Sequence, residues 1–222
     1  GALGPQWEGL LLSCEAALNT IFGYKPVPKG GTFELERFVF LTSNPGKEYD
    51  GADFSGRKEI KQGEDSKISP TFFRPSDVTV GPDGAIYFAD WFDPRIGASS
   101  HLDESFSGTI YRVAPKGFKP KIPKIDLTNI NGQITALRSP AINTRYLGFK
   151  SLKSQGEKAS NYVFKQLDDA NKWIAARAVW LLPYMGDQGK DACIKMLDDE
   201  NSDQRVVAYR SLRRYGHDMI PH

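Results

Sequence analysis

The spacing of apolar residues along this 222-residue chain changes once, from a period of two to a period near 3.6, and that switch limits its fold more than any single motif. Up to about Pro115 the apolar residues come in short runs broken by Gly, Pro, Asn and Asp, the pattern of strands joined by turns. The runs at 9–13, 20–25, 33–42, 76–80, 85–90 and 109–114 predict strands. Pro82-Asp83-Gly84 predicts a tight hairpin over 76–90, because Asp-Gly supplies the positive backbone angles such a turn demands. The stretches 43–69 and 92–107 are rich in Gly, Asp and Lys and read as long surface loops.

Beyond Pro123 the helical period takes over. Arg145, Arg177 and Arg205 each open an apolar stripe, and Gln166-Leu167-Asp168-Asp169 and Lys195-Met196-Leu197-Asp198-Asp199 recur 30 residues apart. Helical pairs are expected near Ile130, at 141–158 and at 172–190, with Thr128 capping the first helix and the units stacking as a solenoid. Within the strand half, 10–30 parallels 85–117, each with an apolar strand, a polar turn, a second strand and then Pro-Lys-Gly. A repeated antiparallel unit points to propeller blades of roughly 40 residues each. The fold class expected is therefore multidomain β plus α. A partial β-propeller of antiparallel blades occupies 1–124, and an α-α solenoid follows over 125–222.

Charge and cysteine content exclude several functions. Lys plus Arg number 29 against 27 Asp plus Glu, a net charge of +2 with no clustered basic stripe, which argues against nucleic acid. The longest apolar stretches, 9–13 and 178–183, fall far short of the ~20 residues that cross a bilayer. Cys14 and Cys193 form neither a disulfide framework nor a paired-cysteine metal site. The apolar run ending at Cys14 is no lipoprotein leader, since Trp7 and Glu8 precede it in place of basic residues.

The densest polar constellation is Arg74, Asp77, Asp90, Trp91, Asp93, Arg95, His101 and Asp103, around one hairpin and the loop after it. The tight turn brings Asp77 and Asp90 to the same end of the sheet. Two carboxylates there suit a hard cation such as calcium, or else they cap strands and pair with Arg74 and Arg95. His101 has the acidity of a general base, or it is a solvated loop histidine. Ser99 and Ser100 lack the spacing of a nucleophile elbow. In the helical half, Trp173, Trp180 and Tyr184 read as packing residues, and Arg213-Arg214 as favourable charge at a helix end before Gly216.

The segments GPQWEGLL at 4–11, FRPSDV at 73–78, GPDGAIYFADW at 81–91 and GTIYRVAPKG at 108–117 resemble those of the large bacterial membrane-bound dehydrogenase-type proteins. That family joins a quinoprotein-glucose-dehydrogenase-like propeller to HEAT repeats and a c-type haem domain. The resemblance implies that the chain is a fragment of a periplasmic or cell-surface sugar or alcohol dehydrogenase. It implies the last propeller blades followed by HEAT-type repeats, with pyrroloquinoline quinone (PQQ) and calcium as cofactors. Arg74 matches a cofactor-gripping arginine, while Ser76 stands where a second would be expected; Asp77, Asp90 and Trp91 complete the expected cofactor site. No Cys-x-x-Cys-His occurs, so haem c belongs to a missing downstream domain, and this chain alone is expected to be inactive. The rival expectation is a non-catalytic carbohydrate- or protein-binding scaffold, with a protein partner docked on the helical repeats.

Overall fold

The structure, a computed structural model, describes residues 1–30, 32–43, 73–91 and 108–220. The chain divides into two compact units, Gly1–Pro120 and Lys121–His222.

The first unit holds two separate antiparallel sheets. Strands β1 (Leu11–Glu15), β2 (Thr20–Lys29) and β3 (Thr32–Thr42) form one in the order β1-β2-β3. Strands β4 (Pro75–Val80), β5 (Ile86–Asp90) and β6 (Thr109–Val113) form the other in the order β4-β5-β6. Ile21, Phe73 and Phe88 are buried between them, with Leu12, Cys14, Val78 and Val113 packed around. Phe88 stacks on Tyr111 at 5.1 Å and meets the edge of Phe73 at 5.8 Å, so aromatic area supplies much of this small core.

The expected propeller is not formed. A blade is a four-stranded sheet, whereas among the described residues each sheet has three strands and neither closes into a barrel or ring. The internal similarity misled because it matched local patterns in unlike places. The 10–30 segment contributes an edge strand then a central one (β1, β2), while 85–117 contributes a central strand then an edge one (β5, β6).

The second unit is helical: α1 (Ile130–Leu137), α2 (Ile142–Gln155), α3 (Ser160–Phe164), α4 (Lys172–Leu181), α5 (Gly186–Lys195) and α6 (Ser202–Tyr215). Its core runs from Leu137 through Leu152, Val163, Ala178 and Leu182 to Cys193 and Leu212. α1 and α2 pack closely because Gly148 has no side chain; a Cβ there would lie 2.4 Å from the Leu137 nitrogen. Among the described residues no solenoid of repeats is present either. The helices range from 5 to 14 residues and are interrupted by 3-10 turns, so successive pairs are not equivalent.

What recurs instead is the chemistry of helix boundaries. Asn129, Asn171 and Asn201 each accept a backbone N–H of the following first turn, through Gly132, Trp173 and Asp203 respectively. Asp169 and Asp199 receive the N–H of Asn171 and Asn201 at 2.9 and 2.8 Å. Thr128 is therefore not the cap of α1; its hydroxyl and N–H both donate to Asp126. Arginines serve the same boundaries. Arg177 donates to the Leu137 and Ser139 carbonyls, Arg145 to that of Pro140, and Arg205 to those of Asp199 and Glu200. Among the described residues no helix is long and apolar enough to cross a membrane.

Candidate functional site

Arg74 leads into β4, and its side chain turns inward rather than toward solvent: the residue is 1% exposed. Its Nη1 donates to the Ala16 carbonyl at 2.9 Å and lies 3.5 Å from that of Ala17, while its backbone N–H donates to Asp90 Oδ1 at 2.8 Å. The Trp91 N–H returns a bond to the Arg74 carbonyl. Asn19, held in the left-handed region at φ 55° where asparagine is tolerated, donates from Nδ2 to the Phe73 carbonyl at 2.8 Å. Residues 73 and 74 thus clasp the 16–19 turn and tie one sheet to the other.

Asp77 and Asp90 do lie at one end of the second sheet, but they do not converge. Asp77 pairs with Ala89, and partners across a ladder share a face, so Asp90 points to the opposite face. Asp90 is buried against Arg74, whereas Asp77 is exposed and accepts the N–H of Val78 at 2.8 Å. Trp91 is 60% exposed. Asp93, Arg95, His101 and Asp103, and nearly all of both long loops, lie outside the described residues. Among the described residues no three His, Cys, Asp or Glu side chains are grouped to hold a metal ion.

Pyrroloquinoline quinone carries carboxylates that an arginine fork would grip from solvent. Arg74 presents its guanidinium to backbone carbonyls inside the fold, and Asp77 and Asp90 diverge, so these residues do not fit the quinone or a calcium ion.

A second carboxylate does structural work that the sequence reading overlooked. Asp83 accepts from the Ala85 N–H, the Tyr87 hydroxyl, and Arg112 Nε and Nη2, at 2.8 to 3.0 Å. Burial works against its charge, yet the bonds from Arg112, Ala85 and Tyr87 prevail and hold the carboxyl below its ordinary value of 3.8. The Pro82-Asp83-Gly84 turn is thereby fastened to β6. Burial pushes both thiols up to about 11, with the Asp77 charge adding to the effect at Cys14, so neither cysteine is a nucleophile near neutrality.

The helical unit offers a different kind of surface. Phe149 of α2 meets the edge of Tyr184 at 6.3 Å, and Tyr184 meets Tyr215 of α6 at 5.2 Å. One cation lies over a ring of this cluster and a second over Trp180 of α4. Lys153 Nζ stands 4.1 Å from the Tyr184 centroid, and the Arg214 guanidinium carbon 5.9 Å from that of Trp180. Lys153, Arg210, Arg213, Arg214 and Tyr215 are all exposed. None of the four cations forms an ion pair with a described carboxylate; the ion pair within this unit joins Arg138 to Asp169. The sequence reading placed Trp180 and Tyr184 in packing and Arg214 at a helix end. These contacts carry no sequence signal, because Lys153 reaches Tyr184, and Arg214 reaches Trp180, only in three dimensions.

No protein-family model matches the chain, and no curated protein matches it.

Proposed function

We propose that the chain is a non-catalytic binding module that docks another protein on the α2, α4 and α6 face of its helical unit. The observation supporting this reading is the joined set of Phe149, Tyr184 and Tyr215 with Lys153 over Tyr184, next to which Arg214, the neighbour of Tyr215 on α6, lies over Trp180. Aromatic rings and arginine are the residues that carry protein interfaces, because they bury large areas while keeping directional donors. Tyr215 is 43% exposed, so the cluster opens to solvent rather than ending in the core. The competing reading, a quinone-dependent sugar or alcohol dehydrogenase, relies on a solvent-facing Arg74, whose guanidinium here holds the 16–19 turn.

The test is selection of a random peptide display library on the full chain, repeated on Tyr215→Ala with its fold checked by circular dichroism. Peptides that enrich on the wild-type chain and are lost on Tyr215→Ala are expected. Enrichment unaffected by Tyr215→Ala, or none at all, contradicts the reading. Uptake of quinone with dye reduction by sugars would restore the dehydrogenase.

A further inference from the structure

We propose that this helical face selects an acidic peptide segment, with Lys153 and Arg214 receiving its carboxylates; this rests on the docking reading above. Each of the two cations already stands over a ring, as Lys172 does over Trp173 elsewhere in the unit, so its position is partly set before a ligand arrives. An ammonium over the Tyr184 ring is attracted by the negative ring face and keeps its outward N–H groups free to donate. A guanidinium over Trp180 keeps its edge donors in one plane, the arrangement that grips a carboxylate through two parallel bonds. Tyr184 is itself fixed by edge contacts with Phe149 and Tyr215, so less side-chain freedom is lost when a ligand arrives.

Charge distribution points the same way. Residues 121–222 carry sixteen Lys and Arg against eleven Asp and Glu, a net charge of +5, whereas 1–120 carry thirteen against sixteen, a net charge of −3. Arg210 stands one helical turn before Arg214 on α6, extending the positive row. A nucleic acid is the less favoured partner, because base stacking needs open ring faces, and one face each of Tyr184 and Trp180 already carries a cation of this chain.

Fluorescence anisotropy of labelled oligoglutamate titrated with the full chain tests the proposal. Binding is expected, weakening as salt is raised. The double variant Lys153→Gln, Arg214→Gln should lower affinity by about tenfold or more, since each removes a charge-assisted bond. The charge-matched control Lys165→Gln, Lys195→Gln, at exposed positions outside the cation–ring contacts, should stay within about twofold. Equal losses in the two variants would reduce the effect to net charge and overturn the proposal, as would tighter binding of oligouridylate. If oligoglutamate does not bind while display selection still yields neutral peptides dependent on Tyr215, acidic selectivity falls and docking stands. If both fail, both fall.

Discussion

Replacing Arg74 by alanine separates a clasp from a ligand grip, because the two roles predict stability losses of very different size. The side chain is 1% exposed, and its Nη1 supplies the donor for the Ala16 carbonyl across the two sheets. Truncating a buried side chain of this length leaves a cavity costing about 2–5 kcal/mol, and the partly buried Ala16 carbonyl without its donor adds up to about 1 kcal/mol. Partial collapse of the site makes the terms overlap, so a total of about 3–5 kcal/mol is expected, much of the ~5–15 kcal/mol that stabilises a typical domain. Arg74→Met fills most of the volume and should cost about 2 kcal/mol less than alanine. Asp77→Ala, at an exposed position, should stay within about 0.5 kcal/mol. Hydrogen exchange read by mass spectrometry reports this locally, through opening free energies of the β1, β2 and β4 amides, without mixing in the helical unit. A loss below about 0.5 kcal/mol for Arg74→Ala would contradict the clasp, since a solvent-facing grip is removed without a cavity.

Four further outcomes follow from the geometry. Asp83→Asn should destabilise the first unit by about 1.5–3 kcal/mol at neutral pH, as charge-assisted bonds to Arg112 and Tyr87 weaken. Because the folded Asp83 carboxyl is held below its ordinary 3.8, its contribution is complete above that value and fades as pH falls through the folded value; acid titration of Asp83→Asn should therefore show a flatter loss of stability below pH ~4. Gly148→Ala should cost about 1–3 kcal/mol by helical circular dichroism during urea unfolding, because its Cβ meets α1 backbone rather than a movable side chain. Asn171→Ala should cost about 1 kcal/mol and raise exchange in the first turn of α4, with Asn171→Asp close to neutral. In the native chain, iodoacetamide at pH 8 should label Cys193, which is fully buried, far more slowly than in urea; rapid native labelling would contradict its burial.

The strands were legible because half-buried ladders impose their period directly on sequence. Residues 33–42, 76–80, 85–90 and 109–114 each became a strand within a residue or so of the expected bounds. β2 runs on to Lys29 through Pro26 and Pro28, which look like breakers in sequence. They are tolerated because β1 pairs only as far as Tyr24, leaving one side of β2 without a ladder partner to miss their N–H groups. Helix starts were visible as periodicity, but the capping asparagines at 129, 171 and 201 were passed over in favour of Thr128 and of the arginines. Which strands pair, and whether similar segments stack as repeats, depended on edge-versus-centre position and on unequal helix lengths, and neither is written in local pattern. The direction of the Arg74 side chain is hidden for a related reason. An arginine before a strand carries no sign of which way it turns, and here Ala16, some 58 residues earlier, supplies its partner. The aromatic–cation face was invisible because its residues lie on α2, α4, α6 and the 3-10 turn at Leu182–Tyr184.

Hydrogen exchange of the full chain with and without a peptide selected on it locates the docking contact without assuming where it lies. Slowed exchange is expected in the segments around 149–153, 180–184 and 210–215, with β4 and β5 unchanged. Protection confined to the β4–β5 hairpin around Arg74 and Asp90, with the helical segments unaffected, would contradict docking on the helical face.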